Sequence, residues 1–267
     1  KFINLFGNPY SIIITDFDGT ISKIAPNPDQ AVVSDKAANA LKGLVSKIAL
    51  VSVVSGRSAG ILKEKVGIPG ISYVGNHGAE YLDNSGITVA DGASEYGKKI
   101  AFVFKEMRSN VNIVGLVWDF KKYTASVHYR LTKNPKQARE MLNEALKSVP
   151  GATELDVFWG KQVLEIRAPI GLDKGYAVRK LVLDHCLSGA IFIGDDTTDI
   201  DGMNAIRELR ESVGFWGIGV AVIHEDSPKE LAVLAHYSLT GTDEVETFLE
   251  WINSREVLYS NVASNPR

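Results

Sequence analysis

Apolar and polar positions divide the chain into three stretches with different periods. The first alternates apolar runs with segments of helical spacing. Ser11-Ile12-Ile13-Ile14-Thr15 has no polar alternation and suits a strand buried on both faces. Asp35–Ser46 sets Ala38, Leu41 and Val45 on one helical face. Ile48–Val54 predicts a second buried strand, Ala59–Val66 a short helix and Ile71–Val74 a third strand. Glu80–Leu82 and Ile87–Val89 flank Asp83-Asn84-Ser85-Gly86, the signature of a hairpin.

The middle stretch reads helix, hairpin, helix, hairpin. Glu95–Arg108 is amphipathic, and Gly115–Phe120 and Ser126–Leu131 are strand-like around Lys121-Lys122-Tyr123. A helix over Lys136–Ser148 follows, then strands Thr153–Phe158 and Gln162–Ile166 around Trp159-Gly160-Lys161. The last stretch resumes alternation: helix Lys174–Cys186, strand Ala190–Ile193, helix Asp199–Glu211, strand Gly217–Val222, helix Glu244–Ile252. The tail after Ser254 is polar and expected to fray. The pattern predicts an α/β chain: a Rossmann-like parallel-sheet core from residues 1–90 and 169–267, with an α+β unit inserted over 91–168. The joints near Asp91–Ala93 and Ala168–Gly171 are the expected hinges.

Composition narrows the function classes. With 45% hydrophobic and 23% charged residues, the 267-residue chain can bury a sizeable core. A net charge of −3 speaks against nucleic-acid binding by bulk charge. Cys186 is the single cysteine, which excludes an internal disulfide and a multi-thiolate zinc site and is compatible with a cytoplasmic location. Neither a run of ~18 apolar residues nor a signal-peptide pattern occurs, so no membrane partner is expected.

Candidate chemistry collects at predicted strand ends. Asp16-Phe17-Asp18-Gly19-Thr20 follows the first strand, at the edge where open α/β sheets bind ligands. A period of two points Asp16 and Asp18 the same way, and Gly19 lets the chain turn and offer backbone N–H groups to an anion. Two adjacent acids repel unless they share a cation. A hard metal ion, Mg²⁺ first, accounts for them, with one carboxylate left to attack or to shuttle a proton. Alone, the five residues also read as an acidic β-turn. Ser55-Gly56-Arg57 follows the second strand, Lys174 opens a helix after Asp173, and Gly194-Asp195-Asp196-Thr197-Thr198-Asp199 follows Ala190–Ile193. Each has a plain reading, as a helix cap, a surface lysine or a capped helix start. Their joint order argues for one site.

This set resembles the haloacid dehalogenase superfamily of phosphotransferases, and the inserted unit sits where that superfamily carries its type-2 cap. Ile24-Ala25-Pro26 with Pro28, Ser55-Gly56-Arg57, Gly75-Asn76-His77-Gly78, Ser126-Val127-His128-Tyr129-Arg130, Val163-Leu164-Glu165-Ile166-Arg167 and Asp173-Lys174-Gly175 occur in the order seen in the trehalose-6-phosphate phosphatases. Departures are Ile200 in place of a usual glutamate, Ala168 before Pro169, and Leu172 where tryptophan is common. The resemblance implies that Asp16 is a nucleophile forming an aspartyl-phosphate and that Asp18 is the acid/base. It implies phosphate contacts from the Gly19 and Thr20 N–H groups, Ser55 and Lys174. It also implies Mg²⁺ held by Asp16, Asp195 and the Asp18 carbonyl, with Asp196 and Asp199 behind them.

A disaccharide needs carboxylates and forked donors around its hydroxyls. Glu165 is the main candidate, joined by Lys161, His128 and Arg130 in the cap and by Arg57, Asn76 and His77 in the core. Alternation puts Ser126, His128 and Arg130 on one strand face, for which solvent is the plainer neighbour. Trp118, Trp159, Trp216 and Trp251 read as core or interface, with Trp159 the one candidate sugar platform. The activity implied is hydrolysis of trehalose 6-phosphate, a small-molecule sugar phosphate. Phosphatases of sucrose-6-phosphate or mannosyl-3-phosphoglycerate, a mutase and a non-catalytic sugar-phosphate sensor are the alternatives. The sensor is disfavoured because Asp16, Asp18, Lys174 and Asp195 are all present.

Overall fold

The computed structural model describes residues 10–25, 28–160 and 162–254. Pro26, Lys161 and the tail after Ser254, on which expectations fell, lie outside the described residues. In chain order the elements are β1 (Ser11–Thr15), α1 (Asp35–Val45), β2 (Leu50–Val54), α2 (Ala59–Val66), β3 (Ile71–Gly75), β4 (Glu80–Asp83) and β5 (Gly86–Val89). Then come α3 (Ala93–Asn110), β6 (Val117–Phe120), β7 (Ala125–His128), α4 (Pro135–Ser148), β8 (Asp156–Gly160) and β9 (Val163–Arg167). The chain closes with α5 (Lys174–Asp184), β10 (Gly189–Gly194), α6 (Asp199–Leu209), β11 (Trp216–Ile223), α7 (Lys229–Leu234), β12 (Tyr237–Thr240) and α8 (Gly241–Asn253). It divides into two compact units, residues 1–87 with 173–267, and residues 88–172.

The first unit is built on a sheet in the order β12-β11-β10-β1-β2-β3-β4-β5. Pairing is parallel from β12 through β3 and turns antiparallel at β3–β4. All five residues of the central β1 are buried, as its unbroken apolar run demands. Alternation splits that run between two apolar clusters. Ile13 joins Val51, Ile191 and Leu41, while Ile12 and Ile14 join Phe192, Val178 and Ile206. The α/β expectation thus holds, with helices covering both faces. Ser34, Ser58 and Asp173 cap α1, α2 and α5 by accepting the N–H of Ala37, Ile61 and Tyr176.

Residues 88–172 form a four-stranded antiparallel sheet in the order β6-β7-β9-β8, with α3 and α4. Ala125, Val127, Leu164 and Ile166 pack against Ile100, Met107 and Leu142 on the helix side. By alternation Ser126, His128, Glu165 and Arg167 lie on the opposite face.

Several element bounds moved. The strand expected over Ser126–Leu131 stops at His128, because Thr132 N–H and its hydroxyl both turn back onto Tyr129 O. Trp159 and Gly160 belong to β8, and the reversal comes later, where Gln162 adopts φ 56°. The edge strand β12 and the six-residue α7 carry too few buried residues to give a period. Among the described residues no helix is long and apolar enough to cross a membrane.

Candidate functional site

The parallel ladder carries Asp16 one residue past β1, where its N–H donates to Ile193 O at 2.8 Å. Lys174 opens α5, and its Nζ lies 2.7 Å from Asp16 Oδ1 and 2.7 Å from Asp199 Oδ1. All three residues are buried, and Asp195 beside them is 6% exposed. Oxygens of Asp16, Asp195 and Asp199 come within 4.8 Å of one another. Three carboxylates around one ammonium leave the site short of positive charge. Burial raises Asp16 well above the carboxylate range despite the pull of Lys174. Burial, with Asp199 next, pushes Asp195 up to about 7. Burial works against the Lys174 charge, but Asp16 and Asp199 outweigh it and hold the ammonium above the usual lysine range. An all-oxygen donor set with surplus negative charge fits a hard divalent cation.

Asp199 is already committed. Its Oδ1 accepts from Lys174, and its Oδ2 accepts the N–H of Asp195 at 3.0 Å and of Asp196 at 2.9 Å. It therefore shapes the turn that presents Asp195, whereas Asp196 is exposed. Thr20 Oγ1 donates to Asp195 Oδ1 at 3.1 Å. Gly19 has φ +76°, and a Cβ there would sit 2.2 Å from Asp195 Oδ2, so only glycine fits on both counts. One expectation is corrected here: the Gly19 N–H does not point to an empty phosphate position but donates to Ser22 O at 2.8 Å.

Asp18, expected as an acid/base, lies outside the three-carboxylate group. Arg57 grips it in a fork, Nε to Oδ2 at 2.6 Å and Nη2 to Oδ1 at 2.8 Å, with the guanidinium 5.2 Å from the centre of the Phe17 ring. Buried Ser55 accepts the Arg57 N–H on its Oγ at 3.3 Å. Asn76 and His77 hold left-handed backbone, φ 51° and 55°, and are tied to the same loop by Asn76 N–H to Arg57 O at 2.8 Å and His77 N–H to Ser55 O at 3.1 Å. Asn76 Nδ2 donates to Glu80 Oε1, which also accepts the Ala59 N–H. The Asn76 side chain is thus spent on bracing the loop, and the His77 ring lies where a Gly56 side chain would be.

On the sheet face of residues 88–172 turned away from α3 and α4, Glu165 is bonded to Arg167, whose guanidinium stacks 4.9 Å from the centre of the Phe158 ring. Lys121 lies 3.5 Å from Asp119 and reaches the Ser126 hydroxyl. His128 Nδ1 and Arg167 Nε are buried without a hydrogen-bond partner among the described residues. Burial first, then Arg130 and Lys121, holds the His128 ring below its ordinary value. Arg130 is exposed in the turn past β7 rather than on the strand. Trp159 does not share the Glu165 face: its ring meets Tyr129 and Arg139 on the helix side.

Two groups escaped the sequence reading. Glu80 carries no motif. His224 follows β11, and its Nε2 lies 2.7 Å from Gly19 O and 3.9 Å from Asp195 Oδ2. The strand-end rule that found Asp16 and Asp195 also selects it.

A family model described as trehalose-phosphatase matches residues 14–243. An uncharacterized glycosyl hydrolase of Mycobacterium tuberculosis is 31% identical over 229 residues, covering 80% of this chain and 16% of that protein. The chain therefore spans about a sixth of that relative's length. A probable trehalose-phosphate phosphatase E of Arabidopsis thaliana is 31% identical over 265 residues, covering 91% of this chain and 71% of that one. The structure of the Candida albicans trehalose-6-phosphate phosphatase C-terminal domain shares the fold, with a TM-score of 0.74 at 22% identity over 94% of each chain.

Proposed function

The chain belongs to the trehalose-phosphatase family, and from that premise we propose that it hydrolyses trehalose 6-phosphate to trehalose and phosphate. The observation that carries the chemistry is buried Lys174 bridging Asp16 and Asp199 beside Asp195. Asp16 attacks phosphorus in line and becomes an aspartyl-phosphate, which water then hydrolyses. Lys174 neutralises charge on the transferring group, and Ser55 and the Thr20 N–H complete the phosphate contacts. Asp18 gives its proton to the departing sugar oxygen and later takes one from the attacking water. Both Asp18 oxygens are held by Arg57, so the fork must release one of them before that transfer.

Asp16, Asp195 and the Asp18 carbonyl would hold Mg²⁺, with Asp199 positioning Lys174 and the Asp195 turn. When bound, Mg²⁺ supplies positive charge to the phosphoryl oxygens. Residues 91–168 act as the cap that selects the sugar. Glu165 is its main ligand, with His128, Arg130 and Lys161 as further sugar ligands, while Arg57 and His77 serve from the core. Cys186 as the lone cysteine supports work in the cytoplasm.

Phosphate release from trehalose 6-phosphate, sucrose-6-phosphate and mannosyl-3-phosphoglycerate, each with Mg²⁺ and with chelator, tests this reading. Fastest turnover of trehalose 6-phosphate, lost on chelation, is expected. Equal or faster turnover of either other ester overturns the sugar assignment, and no turnover of any ester overturns the enzyme.

A further inference from the structure

His224 belongs to none of the motifs that located the site, yet it touches two of them. Its Nε2 is 2.7 Å from Gly19 O. A carbonyl oxygen only accepts, so Nε2 carries the proton, as it does in one neutral tautomer and in the cation alike. Behind the ring, the His224 N–H donates to Ser227 Oγ at 2.9 Å. The Ser227 hydroxyl in turn faces Asp195 O at 3.2 Å and Val222 O at 3.3 Å. One loop after β11 thus holds the backbone of Gly19 and the backbone of Asp195 together.

The peptide joining Gly19 to Thr20 is a rigid plane, with its C=O and N–H pointing opposite ways. A donor that fixes the Gly19 C=O therefore fixes the direction of the Thr20 N–H. Gly19, at φ +76°, has no side chain to resist rotation. Its own N–H is spent on Ser22 O, and the Ile21 and Ser22 N–H groups both go to Phe17 O. The Thr20 N–H donates to no backbone carbonyl among the described residues. Together with the Asp18 N–H, which likewise donates to no backbone carbonyl among the described residues, it is left for an anion.

We infer that His224 is a positioning residue: by holding the Gly19 carbonyl it aims the Thr20 amide at the phosphate, and through Ser227 it keeps that amide in register with Asp195. The kinetic part of this inference rests on the phosphatase reading above. The ring also lines a groove of about 260 Å³ together with Lys23, Ile24, Thr240, Gly241 and Asp243. Removing the ring opens its place to solvent on that side, so a small donor can enter.

The test compares His224→Ala with His224→Gln, whose amide Nε2 can reach a carbonyl as the imidazole does. Two readouts are taken on the full chain. The first is hydrogen exchange of the peptide spanning residues 16–22, measured without Mg²⁺ or substrate. The second is steady-state hydrolysis of trehalose 6-phosphate. In His224→Ala the Gly19, Ile21 and Ser22 amides exchange faster and kcat falls about 100-fold, with a smaller change in KM. His224→Gln restores both to within a few-fold, and free imidazole raises kcat of His224→Ala at least several-fold. Exchange and kcat of His224→Ala at wild-type levels overturn the inference. So does a His224→Gln variant as impaired as His224→Ala. Should His224→Ala not fold, His224→Met, which fills the space without a donor, takes its place. If wild-type protein hydrolyses no phosphate ester, the functional reading fails, and the exchange comparison alone still decides whether His224 orders the turn.

Discussion

Each carboxylate gathered at the site on residues 1–87 and 173–267 already has a partner in place, whereas on the sheet face of residues 88–172 turned away from α3 and α4 two buried nitrogens have none among the described residues. In the first, Lys174 is shared by Asp16 and Asp199, Arg57 holds Asp18, and Thr20 holds Asp195. In the second, Glu165 and Arg167 pair, but His128 Nδ1 and Arg167 Nε are buried without a hydrogen-bond partner among the described residues. An unpartnered buried polar atom costs about 1–3 kcal/mol, so a ligand that bonds either nitrogen recovers part of that cost. Charge positioned in advance suits a reaction that has little to rearrange, here the opening of the Arg57 fork on Asp18. Unfilled donors and acceptors suit recognition, because a ligand lacking the matching hydroxyls leaves them unpaired and is rejected. Under the proposed function the two regions divide the work: one carries the chemistry and the other reads the sugar.

The largest expected effect tests the first half of that contrast. Asp16→Asn should lower phosphate release by about 10⁴-fold or more, since a nucleophile has no substitute. Its melting temperature should hold or rise, because the change removes one negative charge from a buried set that has a surplus. Full turnover by Asp16→Asn would break the assignment. Lys174→Ala comes next. It strands two buried carboxylates and should cost about 3–5 kcal/mol of stability by urea denaturation. A loss below about 1 kcal/mol would mean that the ammonium is not what organises the cluster.

Glu165→Gln addresses the other half. It keeps the shape of the side chain but weakens the acceptor, and should raise KM for trehalose 6-phosphate about 10- to 100-fold. Hydrolysis of a small aryl phosphate, which has no sugar to read, should stay within about 2-fold of wild type. Equal losses on both substrates would erase the division of labour.

What could be read from the sequence follows the same divide. Asp16, Lys174, Asp195 and Asp199 sit one step from strand or helix ends, so the apolar runs that place the strands also place them. The Arg57–Asp18 fork and the His224–Gly19 bond join residues 39 and 205 positions apart, and no local period encodes them. Glu80 was invisible for another reason: its carboxylate serves backbone geometry, the left-handed turn at Asn76, and not a motif. In the four-stranded sheet, alternation correctly put Ser126 and His128 on one face, and the strand pairing adds Glu165 to it. It failed for Arg130, and Trp159 lies in β8 rather than at the expected hairpin tip, because the positions of the reversals are set by turns whose residues, Tyr129 to Thr132 and Gln162, carry no strong signal.

The smallest effect concerns His128, whose proton affinity is lowered by burial and by Arg130 and Lys121. A lowered value in the folded state means that the unfolded chain binds the proton more readily. Between the folded value and 6.5, the unfolded state therefore holds more protons, and stability rises with pH across that window. The contribution is fully present above about pH 6.5 and is lost as pH falls. His128→Gln cannot titrate, so the difference in melting temperature between it and the parent should shrink or reverse as pH drops from about 7.5 to about 5. A difference that stays flat with pH would show that the ring charges without penalty. The Glu165 face would then be better solvated than its unpartnered nitrogen implies, and its contrast with the Lys174 cluster correspondingly weaker.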